Sequence, residues 1–167
     1  MNLILCGMMG SGKTTVGLKL SELSGRTHCD TDEFIVEKYG EISTIFARFG
    51  EPRFREMETE IVQTLSEKDG LVISTGGGLV LKEENVRLLK KQGKICYLRA
   101  SINTLQQRLA GDNKRPLLRD KDALQTLMKT RAPIYERVAD FIVDVDEKTP
   151  EEIAREILLQ AQNKQRR

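Results

Sequence analysis

The sequence predicts an α/β fold in which helices cover both faces of a parallel β-sheet. Two observations predict it: short aliphatic or β-branched runs recur along the 167 residues, and segments of helical period lie between them. Strands that alternate with helices form right-handed βαβ units, and these strand segments are too apolar for a sheet with one face in water. The runs predict five strands, at residues 3–6, 27–30, 71–74, 95–98 and 141–145, of which the second is the weakest.

The helices in the first half of the chain are predicted from caps and apolar spacing. A helix over 15–23 follows a glycine-rich turn, and Gly25 suits its end. A second helix is expected to start near Glu33. A third opens near Pro52, a favourable residue for a first helical turn. Its core face is predicted from the spacing of Phe54, Met57, Ile61 and Leu65.

The helices in the second half are predicted from the same signals. Val86, Leu88 and Leu89 indicate a helix that ends at Gly93. A later helical run is interrupted at residues 131–135, where Pro133 predicts a bend. Residues 149–152 read Thr-Pro-Glu-Glu, which predicts an N-cap, a first-turn proline and two acids at the start of a final helix. That helix is expected to fray in the polar end, 162–167.

Composition argues against several classes of function. Lysine and arginine total 27 against 25 acidic residues, a net charge of +2, which argues against a nucleic-acid-binding surface. The cysteines, Cys6, Cys29 and Cys96, lack the spacing of a disulfide framework or a zinc site, which predicts a reducing compartment. The apolar runs are too short for a signal peptide or a membrane span. We therefore expect a cytoplasmic protein with no nucleic-acid or membrane partner. We also expect a monomer, although none of these observations bears on the oligomeric state.

A phosphate-binding loop follows the first predicted strand. Residues 7–14 match G-x-x-x-x-G-K-T, in which glycines let successive amides point at phosphate oxygens and the next helix presents its N-terminus. Lys13 would reach the β- and γ-phosphates, and the Thr14 hydroxyl would bind Mg²⁺. The alternative is a glycine-rich turn that matches by chance, which the strand before and the helix after it disfavour. The loop predicts nucleoside-triphosphate binding, a property that GTPases, motor ATPases and small-molecule kinases share.

Two carboxylates follow the second predicted strand. On an extended segment Asp30 and Asp32 would point to the same side, so one could serve the metal and the other a substrate hydroxyl. The alternative is an acidic N-cap for the helix near Glu33. The third strand lacks the terminal aspartate of the usual second nucleotide motif, which makes Asp30 the substitute at the metal.

An arginine and three glycines suggest where an acceptor binds. Arg55 follows Phe54 at a helix start and could hold a planar carboxylate with two parallel hydrogen bonds, or it could form an ordinary ion pair with Glu58. Residues 76–78 are all glycine at the end of the third strand, where a ligand can approach the backbone closely. The alternative for these glycines is a flexible turn.

A charge-dense segment, residues 111–119, lies between two predicted helices. It suits a mobile cover over phosphates, in which Arg115 would contact the γ-phosphate, or else a solvated loop. The bend expected at Pro133 could turn Arg131 toward the same site, although a surface arginine is the alternative there.

Together these motifs resemble the shikimate kinase family, small-molecule kinases of aromatic amino-acid biosynthesis. The match extends over nearly the whole chain, as an ordered set: 7–14, Asp30 with Asp32, Gly50-Glu51 with Phe54-Arg55 and Glu58, Gly76 to Gly78, 115–118, and Arg131 with Pro133 and Tyr135. The resemblance implies a three-layer P-loop kinase fold with a five-stranded parallel sheet, similar to nucleoside monophosphate kinases. It also implies ATP with Mg²⁺ as donor and the 3-hydroxyl of shikimate as acceptor. We expect one kinase domain over 1–167, with a mobile lid at about 110–121 and a substrate-binding segment at about 32–60.

The resemblance also implies the role of each site residue. The catalytic residues would be Lys13, Asp32 and Arg115. The nucleotide-binding residues would be Gly10, Ser11, Gly12, Lys13, Thr14, Thr15, Arg108 and Arg115, with Arg108 packed on the adenine. The substrate-binding residues would be Asp32, Arg55, Gly76, Gly77, Gly78 and Arg131, with both arginines on the carboxylate. Thr14 and Asp30 would bind the metal.

Other interpretations stay open on the residues alone. A gluconate or nucleoside monophosphate kinase would share the fold, although a nucleotide acceptor favours aromatic stacking and aromatic residues are only 5%. A regulatory nucleotide-binding module with a decayed acceptor site is a third possibility, against which Asp32, Arg55 and Arg131 argue. The segment 40–46, part of the expected substrate wall, is one residue shorter than the family pattern. His28 and Cys29 are interpreted as strand packing, not as metal ligands.

Overall fold

The structure is a computed structural model that describes residues 1–111 and 120–163. Predictions for 112–119, Arg115 among them, and for 164–167 lie outside the described residues. The strands are β1 Asn2–Cys6, β2 Thr27–Asp30, β3 Leu71–Ser74, β4 Gly93–Arg99 and β5 Phe141–Asp144. The helices are α1 Lys13–Ser24, α2 Thr31–Tyr39, α3 Ile42–Ser66, α4 Glu83–Lys90, α5 Ile102–Ala110, α6 Lys121–Val138 and α7 Pro150–Asn163, with a short 3-10 helix at Leu79–Leu81.

The five strands form one parallel sheet in the order β2-β3-β1-β4-β5, which confirms the predicted fold class. All five strand predictions coincide with observed strands. The central strand, β1, has β3 on one side and β4 on the other. The connection that leaves β1 crosses toward β2, whereas the connection that leaves β3 crosses the opposite way toward β4, which makes a topological switch point between these two strands. In open α/β sheets the crevice beyond the carboxyl ends of the strands at such a point is where ligands bind. The loop after β1 therefore begins at this crevice.

The central strands are buried on both faces, as their apolar composition predicted. Each side chain of β1 is at most 2% exposed. Gly93 is the first residue of β4 and not the end of the preceding helix, which ends at Lys90; this prediction was wrong. The reason is a close approach between strands, since a Cβ at Gly93 would lie 3.0 Å from the Asn2 carbonyl oxygen and would overlap the Ile4 side chain.

Three helices differ from their predictions. The second, α2, begins at Thr31, so Asp32 lies in its first turn and not on an extended segment. The third, α3, includes an unpredicted stretch before Gly50, whose φ of 77° and ψ of 171° break the helix just ahead of Pro52. The sixth, α6, continues through Pro133, so the predicted interruption was wrong. Buried residues on both sides of this proline, Leu124 and Tyr135, hold α6 against the core, and tertiary packing outweighs local preference.

The caps of α1 and α7 agree with the sequence. The Gly25 amide donates to the Ser21 carbonyl with a φ of 68°, which only glycine adopts readily. The Thr149 amide donates to Glu152 (2.7 Å), and the Glu152 amide donates to the Thr149 hydroxyl (3.2 Å). This reciprocal pair is a capping box, and it confirms the predicted start of α7.

Among the helices of residues 1–111 and 120–163, none combines the length and apolar character needed to cross a membrane.

Candidate active site

A cavity of about 580 Å³ opens at the carboxyl edge of the sheet, beside β1. Its lining comes from the loop after β1, the start of α2, α3, the glycines after β3, and helices α5 and α6. Of the predicted site residues within 1–111 and 120–163, all but Ser11 line it: Gly10, Gly12, Lys13, Thr14, Thr15, Asp30, Asp32, Arg55, Gly76, Gly77, Gly78, Arg108 and Arg131. Ser11 is buried inside the loop, and Arg115 lies outside the described residues. One cavity thus contains both the phosphate-loop residues and the residues predicted to bind an acceptor.

The phosphate loop is curled between β1 and α1. Gly10 and Gly12 have φ angles of 82° and 93°, which a side chain would strain. The Lys13 ammonium donates to the carbonyls of Gly7 (2.8 Å) and Met8 (2.9 Å), so its head group lies across the start of the loop. Because α1 begins at Lys13, its N-terminal amides face the same space. Inward-facing amides, a helix N-terminus and an ammonium together form an anion site suited to phosphate oxygens.

Arg108 covers the phosphate loop from α5. Its guanidinium donates to the Gly10 carbonyl (3.2 Å), and a Cβ placed on Gly12 would lie 3.0 Å from its Nη1 atom. The planar guanidinium therefore lies beside the loop at the edge of the cavity, where it can stack on a flat ring.

Thr14 and Asp30 meet at the donor end of the cavity. The Thr14 hydroxyl donates to Asp30 Oδ2 (2.8 Å), while Asp30 Oδ1 accepts the amides of Asp32 (2.9 Å) and Glu33 (3.4 Å) at the start of α2. The two interpretations of Asp30 are thus compatible, since one oxygen caps a helix and the other faces Thr14.

A magnesium ion fits this pair of oxygen ligands. Residues 1–111 and 120–163 contain no cluster of three or more His, Cys, Asp or Glu side chains that could hold a metal ion. Mg²⁺ typically takes one or two protein oxygens and completes its shell with substrate phosphates and water. One hydroxyl and one carboxylate beside a phosphate loop match that pattern, whereas a dedicated protein cage would not be expected here.

Arg55 is held by two acids at the opposite end of the cavity. Its guanidinium donates to Glu58 (2.7 Å) and to Glu51 (3.1 Å), and its Cζ lies 5.3 Å from the centre of the Phe54 ring. Glu58 is only 1% exposed. Burial raises the pKa of the Glu58 carboxyl, and the neighbouring Arg55 opposes that shift. A buried acid that holds an arginine in place is a different arrangement from the exposed ion pair considered as the alternative.

The glycines after β3 allow three predicted site side chains to converge. Each glycine lies close to a side chain from another element: a Cβ at Gly76 would lie 2.9 Å from Asp32 Oδ1, one at Gly77 would lie 3.1 Å from Arg131 Nη1, and one at Gly78 would lie 2.6 Å from Arg55 Cζ. Because the glycines are consecutive, the carboxylate and both guanidinium groups are brought to one wall of the cavity. The alternative of a flexible turn does not explain why all three glycines lie this close to side chains of the site.

Sequence reasoning missed several side chains that build this wall. Ile42 and Phe46, from the unpredicted start of α3, line the cavity, and the Phe46 ring centre lies 4.8 Å from that of Phe54. Their spacing with Ile45 and Phe49 is helical and could have predicted this segment. Thr31 accepts the Gly76 amide on its hydroxyl (2.9 Å), a contact for which the sequence has no signal.

Comparison with known proteins agrees with this geometry. The family model "Shikimate kinase" matches residues 9–162. The shikimate kinase of Thermodesulfovibrio yellowstonii is 44% identical over 161 residues, which cover 94% of this chain and 92% of that protein. The solved shikimate kinase from Acinetobacter baumannii in complex with shikimate matches with a TM-score of 0.91 at 36% identity, over 98% of this chain and 93% of that one. The solved shikimate kinase from Aquifex aeolicus matches with a TM-score of 0.84 at 38% identity, over 98% of each chain. The resemblance seen in the motifs is confirmed, and this chain belongs to the shikimate kinase family.

Proposed function

We propose that this chain transfers the γ-phosphoryl group of ATP to the 3-hydroxyl of shikimate, with Mg²⁺ as the metal. One observation carries the proposal: Arg55 and Arg131 reach consecutive glycines beside Asp32, in the cavity that also contains the phosphate loop. Shikimate is a ring with one carboxylate and several hydroxyls. Two guanidinium groups suit the carboxylate, and the oxygens of an aspartate side chain suit the hydroxyls. The related Acinetobacter baumannii enzyme, solved in complex with shikimate, supports the same choice of acceptor.

The donor is assigned to the loop after β1. In our proposal the amides of Gly10, Ser11, Gly12, Thr14 and Thr15 bind the phosphates, Lys13 reaches the β- and γ-phosphates, and Arg108 packs on the adenine. Thr14 and Asp30 supply the protein oxygens near Mg²⁺. The bound Mg²⁺ would neutralise charge on the phosphate oxygens. Arg115, which lies outside the described residues, is proposed to contact the transferring group from a lid at about 110–121.

The acceptor is assigned to the segment at about 32–60 together with the glycines and α6. Arg55 and Arg131 hold the carboxylate, Asp32 accepts a hydrogen bond from a ring hydroxyl, and the backbone at residues 76–78 donates to the ring. Glu58 keeps the Arg55 guanidinium in position. Transfer then depends on in-line positioning and on stabilisation of charge as it spreads over the γ-phosphoryl oxygens. In our proposal Asp32 orients the attacking hydroxyl, and it would take the hydroxyl proton late in the transfer.

A coupled assay of ATP consumption tests the proposal. The chain is incubated with MgATP and, in separate reactions, with shikimate, gluconate, a nucleoside monophosphate or no acceptor. We expect turnover that depends on shikimate and is abolished by Lys13→Ala. Turnover that requires one of the other acceptors, or that needs no acceptor, would contradict the proposal.

A further inference from the structure

We propose that the Tyr135 hydroxyl is a positioning group for acceptor binding, because it fixes the Gly77 peptide against Arg131. This inference rests on the proposed function. Tyr135 lies on α6 and is 0% exposed, and its hydroxyl donates to the Gly77 carbonyl at 2.6 Å. The bond joins residues 58 apart in the chain, so it ties α6 directly to the glycines after β3. Nothing in the role assigned to Arg131 or to the glycines uses this hydroxyl.

The bond orients more than one backbone atom. The Gly77 carbonyl and the Gly78 amide belong to the same planar peptide, in which C=O and N–H point in opposite directions. A hydroxyl that holds the carbonyl therefore also sets the direction of the Gly78 N–H group. Both glycines line the cavity at its acceptor end. The phenol thus controls the orientation of a backbone donor that it does not touch.

The same hydroxyl lies next to one of the two arginines. Tyr135 follows Arg131 by one helical turn on α6, so both side chains project from the same face. A Cβ placed on Gly77 would lie 3.1 Å from Arg131 Nη1 and 3.6 Å from the Tyr135 hydroxyl. The guanidinium, the phenol and the glycine backbone therefore meet at one point. Movement of the glycines relative to α6 would change the gap between Arg131 and the backbone donors.

The phenol is a dependable donor at neutral pH. Burial raises the pKa of Tyr135 to about 12, and the nearby Arg131 opposes that shift. The proton therefore stays on the hydroxyl at the neutral pH of the kinetic assays.

Ring packing can be separated from the hydroxyl contact by comparing two tyrosines whose rings pack against each other at an angle of 37°. The Tyr97 and Tyr135 ring centres lie 5.2 Å apart, and both rings are buried. The Tyr97 hydroxyl makes no hydrogen bond to residues 1–111 or 120–163, whereas that of Tyr135 binds Gly77. Tyr97→Phe is thus a matched control for Tyr135→Phe, since each removes one buried hydroxyl from the same ring pair.

The test measures KM for shikimate, KM for ATP, kcat and the thermal midpoint for the wild-type chain and both variants. Tyr135→Phe should raise KM for shikimate by about 5- to 12-fold, the upper half of the range expected for the loss of one neutral hydrogen bond, and change KM for ATP by less than about twofold. Tyr97→Phe should leave both KM values within about twofold. A shikimate titration by calorimetry should show the same selective loss of affinity in Tyr135→Phe.

Several outcomes would overturn the inference. A Tyr135→Phe variant that lowers only the thermal midpoint, or that raises both KM values equally, would show that the hydroxyl is merely structural. Equal effects of the two substitutions on KM for shikimate would also overturn it. If the wild-type chain consumes ATP without any dependence on shikimate, the proposed function fails and the inference falls with it. Shikimate-dependent wild-type turnover with an unselective Tyr135→Phe variant overturns the inference alone.

Discussion

Replacing Gly78 by alanine tests the arrangement of Arg55 with a single methyl group. Gly78 has a φ of −93° and a ψ of −7°, a negative-φ conformation that residues other than glycine adopt in type I turns. Its new Cβ, however, would lie 2.5 Å from Arg55 Nη2 and 2.6 Å from Cζ, and would overlap Nη1. Carbon and nitrogen atoms in contact need about 3.5 Å, so the guanidinium must move by roughly 1 Å. The backbone has no reason to move, because the obstructing atoms are the far end of a flexible side chain.

The loss of binding free energy on that movement depends on the hydrogen bonds that Arg55 makes. The displaced guanidinium loses its alignment with Glu58, now 2.7 Å away, and with the carboxylate that we propose it binds. A hydrogen bond to a charged group contributes about 1.5–3 kcal/mol, which corresponds to roughly a 10- to 150-fold rise in KM for shikimate. KM for ATP should change by less than about twofold, because Arg55 is not assigned to the nucleotide.

The assay is a double-mutant cycle. KM for shikimate and KM for ATP are measured for the wild-type chain, Gly78→Ala, Arg55→Gln and the double variant. Glutamine is shorter, so in its presence the new methyl group has no guanidinium to displace and should cost little more. The reasoning is refuted if Gly78→Ala leaves KM for shikimate unchanged. It is equally refuted if its effect is undiminished beside Arg55→Gln, since the methyl would then act through another group.

Three further predictions concern the arginines and the buried phenols. Arg115→Ala should lower kcat by at least about tenfold and change KM for shikimate less, because its contact is assigned to the transition state; an unchanged kcat contradicts that role. Arg131→Ala should raise KM for shikimate by about tenfold or more, and an unaltered value would remove Arg131 from the carboxylate site. Burial raises the pKa values of Tyr97 and Tyr135 from 10.0 to about 12, so the unfolded chain loses these protons at a lower pH than the folded chain. The contribution of the two protonated phenols to the free energy of unfolding is therefore complete below about pH 10 and is lost as the pH rises toward 12. The urea midpoint should therefore fall between about pH 10 and pH 12, and fall less in Tyr97→Phe and Tyr135→Phe; identical slopes would count against this assignment.

The elements that were predicted correctly are those with strong local signals. The five strands are apolar runs that can be predicted from a few consecutive residues. The G-x-x-x-x-G-K-T pattern predicts a phosphate loop because Gly10 and Gly12 can adopt the positive φ angles that the loop needs. The elements that were misjudged depend on neighbours distant in the sequence. Pro133 has the local character of a helix breaker, yet α6 continues through it because both of its halves pack on the core.

At the acceptor end of the cavity, too, the residue types could be predicted from the sequence but their contacts could not. The sequence placed Asp32, Arg55 and Arg131 among the candidates because of their chemistry and their resemblance to a family pattern. It could not indicate that each of the three contacts a different one of three consecutive glycines, since those contacts join β3 to α2, α3 and α6. Nor could it indicate that Glu58 is buried or that the Tyr135 hydroxyl binds Gly77.

By itself the sequence determined the order of strands and helices, the phosphate loop and the set of charged residues available for the chemistry. These follow from apolar period, glycine conformations and side-chain type, all of which act within a few residues of the chain. Only the tertiary structure decided which charged side chains lie on the same wall of the cavity, which of them are buried, and which backbone amides lie beside them. Those properties depend on contacts between elements tens of residues apart, whose geometry is set by packing and not by any local preference.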